Sequence, residues 1–138
     1  MNKLVFLVAF ISMTLAPGFA LGQETPPTKS KGTRGVVLRT VDLTEEIDSG
    51  ANRTLRMRRI TIQPGGVIRL HSHKDRPEVS YLLSGSIIFH YGTPEGKPDL
   101  VLTNEGDGFA EGKATAHWAE NRGSVPAVLI LVDIQKSK

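Results

Sequence analysis

Between Val36 and Ile134 the chain is cut into short apolar or alternating runs: VVLRTVDL, TLRMRRITI, VIRLHSH, VSYLLSG, SIIFHYG, DLVLT, TAHWAEN and VPAVLILVDI. Gly, Pro, Asn or Asp punctuates the breaks. Many short strands with turn signals at this density predict an all-β sandwich or barrel. The closing VLILVDI is apolar on both faces, as expected of a strand buried between two layers. In TLRMRRITI, Leu55 and Met57 share one parity while Ile60 and Ile62 share the other, which predicts a bulge near Arg58 and Arg59. A single short helix is expected over Leu43 to Asp48, with Asp42 and Glu45 as a capping box and Ser49-Gly50 ending it.

With 138 residues, one hydrophobic core is the default. The first 22 residues have one lysine, an apolar run from Leu4 to Leu15, a helix-breaking Pro17-Gly18 and small residues at Ala20 and Gly22. That layout is a secretory signal peptide. The run is shorter than the roughly 20 apolar residues that span a bilayer, so no stable membrane anchor is expected. The mature protein is expected to be exported, to a periplasm or beyond the cell. Residues 23–35 (QETPPTKSKGTRG) read as a flexible leader, and residues 36–138 as one domain. Losing residues 1–22 removes Lys3 and no acid, which lowers the net charge from +3 to +2. So small an excess argues against nucleic acid as a partner. The cluster Arg53, Arg56, Arg58 and Arg59 reads as a solvated strand face. With no cysteine, disulfides and thiolate metal sites are excluded, and any metal must be held by nitrogen and oxygen.

Alternate side chains of a strand face the same way, about 6 to 7 Å apart, so His71 and His73 share one space and can converge on one ion. The charged, proline-containing KDRP favours a turn, after which Glu78 opens the next strand and can swing back to add a carboxylate. His117 lies far off in sequence, where a sandwich folding back on itself can bring it opposite. Arg69 has the parity of the two histidines. An uninterrupted strand aims its guanidinium at the same cavity, where it would favour an anionic substrate such as a carboxylate; a twist before His71 leaves it in solvent. His90 reads as a hydrogen-bonded core histidine, and Trp118, on the face opposite His117, as core. Tyr81, Tyr91, Asp107 and Glu111 lie close enough in sequence to be further acids or bases, with orientations the sequence does not give.

Gly65, His71, His73, Glu78 and Gly85 fit G(X)5HXH(X)4E(X)6G at every position, and Gly106, His117 and Asn121 fit G(X)5PXG(X)2H(X)3N. In this the chain resembles the cupin superfamily, over Gly65 to Asn121. It departs where Gly112 and Ala114 take the Pro and second Gly positions of the second motif, which puts the turn before His117 in question. The resemblance implies a double-stranded β-helix, or jelly roll barrel, with His71, His73, Glu78 and His117 as ligands of one divalent transition metal. Gly65, Gly85 and Gly106 would be turn residues, and Asn121 a turn or hydrogen-bonding residue. A homodimer by strand exchange, using the N-terminal strand near Val36, also fits the family.

Three neutral imidazoles and one carboxylate leave a six-coordinate divalent ion with charge +1 and two open positions, the mark of a catalytic site. Such ligands do not choose among iron, manganese, copper, nickel and zinc. The resemblance covers dioxygenases, lyases, decarboxylases and isomerases, along with proteins that only bind, and fold does not select among them. The leading expectation is a metal-dependent enzyme of dioxygenase or lyase type acting on a small oxygen-rich molecule. The alternative is a non-catalytic metal- or small-ligand-binding protein.

Overall fold

The computed structural model describes residues 25–91, 99–113 and 115–137; the apolar segment read as an export signal lies outside them. Eight strands follow one another: β1 Lys31–Asp42, β2 Arg53–Ser72, β3 Glu78–Ser84, β4 Ile87–Tyr91, β5 Leu100–Leu102, β6 Gly108–Glu111, β7 Ala116–Glu120 and β8 Ala127–Lys136. Their pairing order is β5-β4-β7-β2-β8-β3-β6, with β1 on β2, and every pairing is antiparallel. The result is the expected all-β barrel.

The strand β2 determines how the barrel turns. From Arg53 to Ile62 it pairs with β8, and from Val67 to Ser72 with β7, so it crosses from one side of the barrel to the other at Gln63-Pro64-Gly65-Gly66. Proline has no N–H to give to a ladder, and Gly65 takes a left-handed φ of 70°, which suits a sharp corner. Asn121 pins that corner. Its side-chain amide donates to the carbonyl of Ile62, and its backbone exchanges hydrogen bonds with Gly65 and Gly66. The core gathers Ile62, Leu82, Ile87, Phe89, Leu102, Ala119, Ala127 and Leu129 from strands on both sides of this corner. Each fully buried Leu or Ile contributes roughly 1.5 to 3 kcal/mol.

Four sequence expectations change. First, β1 begins at Lys31, inside the stretch read as a leader, because Thr33, Arg34 and Gly35 pair through their backbones with Ile62, Thr61 and Ile60. Backbone pairing needs no apolar side chain, so composition hid it. Second, the helix over Leu43 to Asp48 is only a turn: Glu46 and Ile47 both donate to the carbonyl of Leu43, and Asp42 accepts from Thr44 rather than closing a box with Glu45. Third, the bulge near Arg58 lies on the neighbouring strand. Val37 pairs with Arg58 and Arg39 with Met57, which leaves Leu38 as the extra residue, while β2 runs unbroken against β8.

The fourth follows from the third. With no phase switch, Arg56 and Arg58 share the inward parity of Ile60 and Ile62, and Met57 is the exposed side chain. Two arginines read as solvated are therefore turned into the barrel, where buried acids receive them.

Candidate metal centre

His71 and His117 sit directly opposite each other on β2 and β7. The register slips between Ile68 and His71, so Ile68, Arg69 and His71 all line one cavity although simple alternation would put Ile68 on the other face. His73 follows just beyond the end of β2; its N–H donates to the carbonyl of Thr115, which ties the first motif to the second. The turn that the sequence left in question is closed by the Thr115 N–H on the carbonyl of Gly112, at 2.9 Å, and Ala114 lies outside the described residues.

These constraints bring three imidazoles together. His117 Nε2 lies 3.0 Å from His71 Nε2 and 3.3 Å from His73 Nε2. The other ring nitrogens show where the protons are. His71 Nδ1 faces the carbonyl of Arg69 at 2.9 Å and His73 Nδ1 that of Arg76 at 3.3 Å; a carbonyl only accepts, so each Nδ1 carries the hydrogen. Both Nε2 atoms are then lone pairs turned toward one point. Burial pushes the pKa of His71 down to about 4, so it is neutral at physiological pH. A nitrogen of His117 about 3 Å from each lone pair repels it unless a proton or a cation lies between them. Neighbouring nitrogens on one ion with bonds of about 2.1 Å would stand about 3.0 Å apart, so the residues fit a divalent metal.

Two carboxylates stand near. His73, Glu78 and Glu111 each offer an atom within 4.8 Å of the others. Glu78, expected as the fourth ligand, also has protein partners: Oε2 accepts from Arg58 at 2.7 Å and from Arg76 at 3.2 Å, and Oε1 from Ser80 alone at 3.2 Å. Burial raises its pKa, against the pull of Arg58, His73 and Arg76. Beside it Asp133, fully buried, takes both oxygens' bonds from Arg56 and further bonds from Arg58 and Arg76. Burial pushes its carboxyl up, but the arginines outweigh burial and hold it below the ordinary value. Glu111 has its Oε1 2.7 Å from His117 Nδ1 and its Oε2 3.0 Å from His73 Nε2. Burial would raise its pKa; the two imidazoles outweigh it and lower it to about 2.

The cavity above the imidazoles has a volume of about 310 Å³. Ile60, Ile68, Phe89 and Leu131 give it apolar walls; Arg58, Arg69, Arg76 and Glu78 give it charge. Phe89 also stacks on His117, ring centres 5.3 Å apart, and steadies that ring. Arg69, exposed, is on the lining as the unbroken strand would have put it, although the strand slips there.

The other sequence candidates sort simply. Gly65, Gly85 and Gly106 all take left-handed φ values at turns. Asn121 is fully buried and hydrogen-bonded, away from the imidazoles. His90 stacks on Trp118 at 3.9 Å and lies between Asp99 and Glu120, a packing role for both rings. Asp107 accepts from the N–H groups of Thr103 and Asn104, and Tyr81 is exposed. Sequence reasoning did not place Arg56, Arg58, Arg76 or Asp133 at the site, and named Glu111 as a nearby acid without orienting it. A signal existed for three of them: Arg56 and Arg58 alternate with Ile60 and Ile62, and Glu111 alternates with Phe109 on β6.

A germin-like protein, subfamily 2 member 1, of Arabidopsis thaliana is 35% identical over 72 residues, 52% of this chain and 33% of that one. The chain thus matches about a third of that relative's length. Among solved structures, KdgF from Halomonas sp. is 17% identical with a TM-score of 0.56, covering 80% of this chain and 87% of that one. A Bacillus subtilis oxalate decarboxylase with Mn(II) centres is 24% identical with a TM-score of 0.53, over 82% of this chain and 28% of that one. Likeness at these identities is likeness of fold. Residues 58–133 match the family model described as a cupin domain, and the chain belongs to that family.

Proposed function

We propose that this protein holds one divalent transition metal through His71, His73 and His117 and presents it to a small anionic molecule in the cavity above. The observation that carries this reading is the convergence of three imidazole Nε2 atoms, at 3.0 and 3.3 Å, with the Nδ1 protons of His71 and His73 turned away to carbonyls. When bound, the metal supplies a Lewis acid for a substrate oxygen or, with iron, manganese or copper, redox chemistry.

The chain's own residues do the rest. Arg69 at the cavity lining is the guanidinium that none of the buried acids neutralises by an ion pair among the described residues, and it suits a carboxylate bidentately. Arg58 and Arg76 stand on the same lining, already shared between Glu78 and Asp133, and add a positive edge. Ile60, Ile68, Phe89 and Leu131 exclude water from the reacting end. Supporting context comes from the fold neighbour named an oxalate decarboxylase, whose substrate is a small dicarboxylate. The reaction type we favour is that of a lyase or dioxygenase acting outside the cytoplasm, the latter resting on the signal-like N-terminus.

The test is to express the exported protein, determine its metal, and screen small carboxylates, diketones and flavonoid-like compounds for O₂ uptake and product by mass spectrometry. Turnover of a carboxylate, with KM raised about tenfold or more in Arg69→Ala, is the expected result. Tight carboxylate binding without turnover under any metal would make the protein a binding protein. Neither binding nor turnover would refute the reading.

A further inference from the structure

Ile68 pairs with Ala119 and His71 with His117, so between these pairs β2 sets two residues, Arg69 and Leu70, against one on β7, Trp118. Successive N–H groups of a regular strand point to opposite sides, but a bulge of this kind lets neighbours point the same way. One segment takes both: the Arg69 N–H donates to Ser30 Oγ at 3.1 Å, and the Leu70 N–H to the Pro27 carbonyl at 3.0 Å. One residue on, Lys31 pairs with Val67, and past Gly32 the strand crosses the corner of β2 so that Thr33 pairs with Ile62. The stretch whose composition reads as a flexible leader is thus laid along the C-terminal half of β2, beside the imidazoles.

The same stretch borders the cavity. Ser30, Thr33 and Gly35 line it together with Ile60, Arg69 and His71. Gly35 stands opposite Ile60 in register and shares its inward parity. A Cβ there would come within 3.0 Å of Ile60 Cδ1. Gly35 does not take a left-handed φ, so its backbone has no need of glycine. What the missing side chain provides is space, a gap between β1 and the Ile60 wall. Gly32 differs: its φ is 62°, and a Cβ would lie 3.2 Å from Gly66 Cα, so there glycine is needed for the turn itself.

We propose that Pro27 to Gly35 forms one side of the entrance to the metal cavity and selects by size the molecules that reach the ion. Gly35 gives the opening its width, and the two hydrogen bonds at the Arg69-Leu70 bulge hold the segment in place. This rests on the three-histidine reading proposed above.

The experiment loads the protein with Co(II) and follows, in the cobalt absorption by stopped flow, the association of azide and of benzoate, a small anion and a bulky one. Gly35→Leu should slow benzoate at least about tenfold and azide less than about threefold, with Gly35→Ala intermediate for benzoate. Gly32→Val puts a branched side chain at a left-handed φ against Gly66 and displaces the segment. Benzoate should then bind faster than to wild type, and the Arg69 and Leu70 amides of the metal-free variant should exchange hydrogen at least about tenfold faster by NMR. Equal slowing of both anions by Gly35→Leu, or of neither, overturns the size filter. Amides that exchange in Gly32→Val as in wild type overturn the hold at the bulge. Both failures leave the metal centre standing, whereas wild type that takes up no Co(II) refutes the centre and this inference with it.

Discussion

Asn121→Ala should cost the barrel about 3 kcal/mol, because one side chain holds the corner of β2. The Asn121 side chain is fully buried and makes three hydrogen bonds: its amide donates to Ile62 at 2.9 Å and to Val125 at 2.8 Å, and its oxygen accepts from the Gly123 N–H at 2.8 Å. Val125 and Gly123 lie in the loop after β7, where water can replace part of what is lost. Ile62 is fully buried at the corner of β2, and its carbonyl would be left unpaired at a cost of about 1 to 3 kcal/mol. Adding about 0.5 to 1 kcal/mol for each loop partner gives a loss of about 3 kcal/mol. With a urea m-value of about 1.5 kcal/mol/M, the unfolding midpoint falls by about 2 M. Asn121→Asp keeps the shape but replaces a donor to two carbonyls with an anion, so it should lose at least as much and recover partly as pH falls and the acid is protonated. Urea unfolding followed by circular dichroism measures both. If both variants stay within about 1 kcal/mol of wild type, the corner does not depend on this residue and the account of β2 is wrong.

Asp133→Asn leaves Arg56, Arg58 and Arg76 to share Glu78 alone and should cost about 3 kcal/mol, near the low end for a broken buried pair because the arginines are about a fifth exposed. The native carboxyl of Asp133 lies below its ordinary 3.8, so its contribution is full above about pH 4 and is lost as pH falls through the native pKa. The variant should therefore lose less stability than wild type on acidification below pH 4; equal losses in denaturant titrations at pH 3 and pH 6 would contradict this. Gly85→Ala places a Cβ 2.5 Å from the Pro126 carbonyl oxygen at a φ of 79° and should cost at least about 2 kcal/mol, read as a lower melting temperature. Gly112→Ala meets nothing within 4 Å and should be neutral or stabilise by up to about 1 kcal/mol; a loss like that of Gly85→Ala would show the turn before His117 to be misread.

The barrel was legible from local rules, and the meeting of the three imidazoles from the resemblance to the two motifs. Short runs between turn residues give strands, HSH on a strand puts two imidazoles in one space, and the motif resemblance added His117. What the sequence did not show depends on pairing between distant strands. Arg56, Arg58 and Asp133 look like surface charges in isolation; only the register of β2 on β8 sets Arg56 opposite Asp133 and turns them inward together. The phase switch was inferred by giving weight to Leu55 and Met57 as apolar residues, although Met57 is 40% exposed and the inward row contains arginines. Glu111 was visible as a nearby acid, but its meaning appears only when β6 pairs with β3 and aligns it with Glu78. The start of β1 at Lys31 was hidden because its first residues contribute backbone and little else.

The account stands on three imidazoles facing one ion, and metal stoichiometry tests that most directly. Metal-free wild-type protein should take up one divalent ion per chain in an equilibrium titration with metal analysis. His73→Ala and His117→Ala should each lose at least about 100-fold in affinity while keeping the strand spectrum of the barrel. Wild type without a stoichiometric site, or folded histidine variants that bind as wild type does, would contradict it.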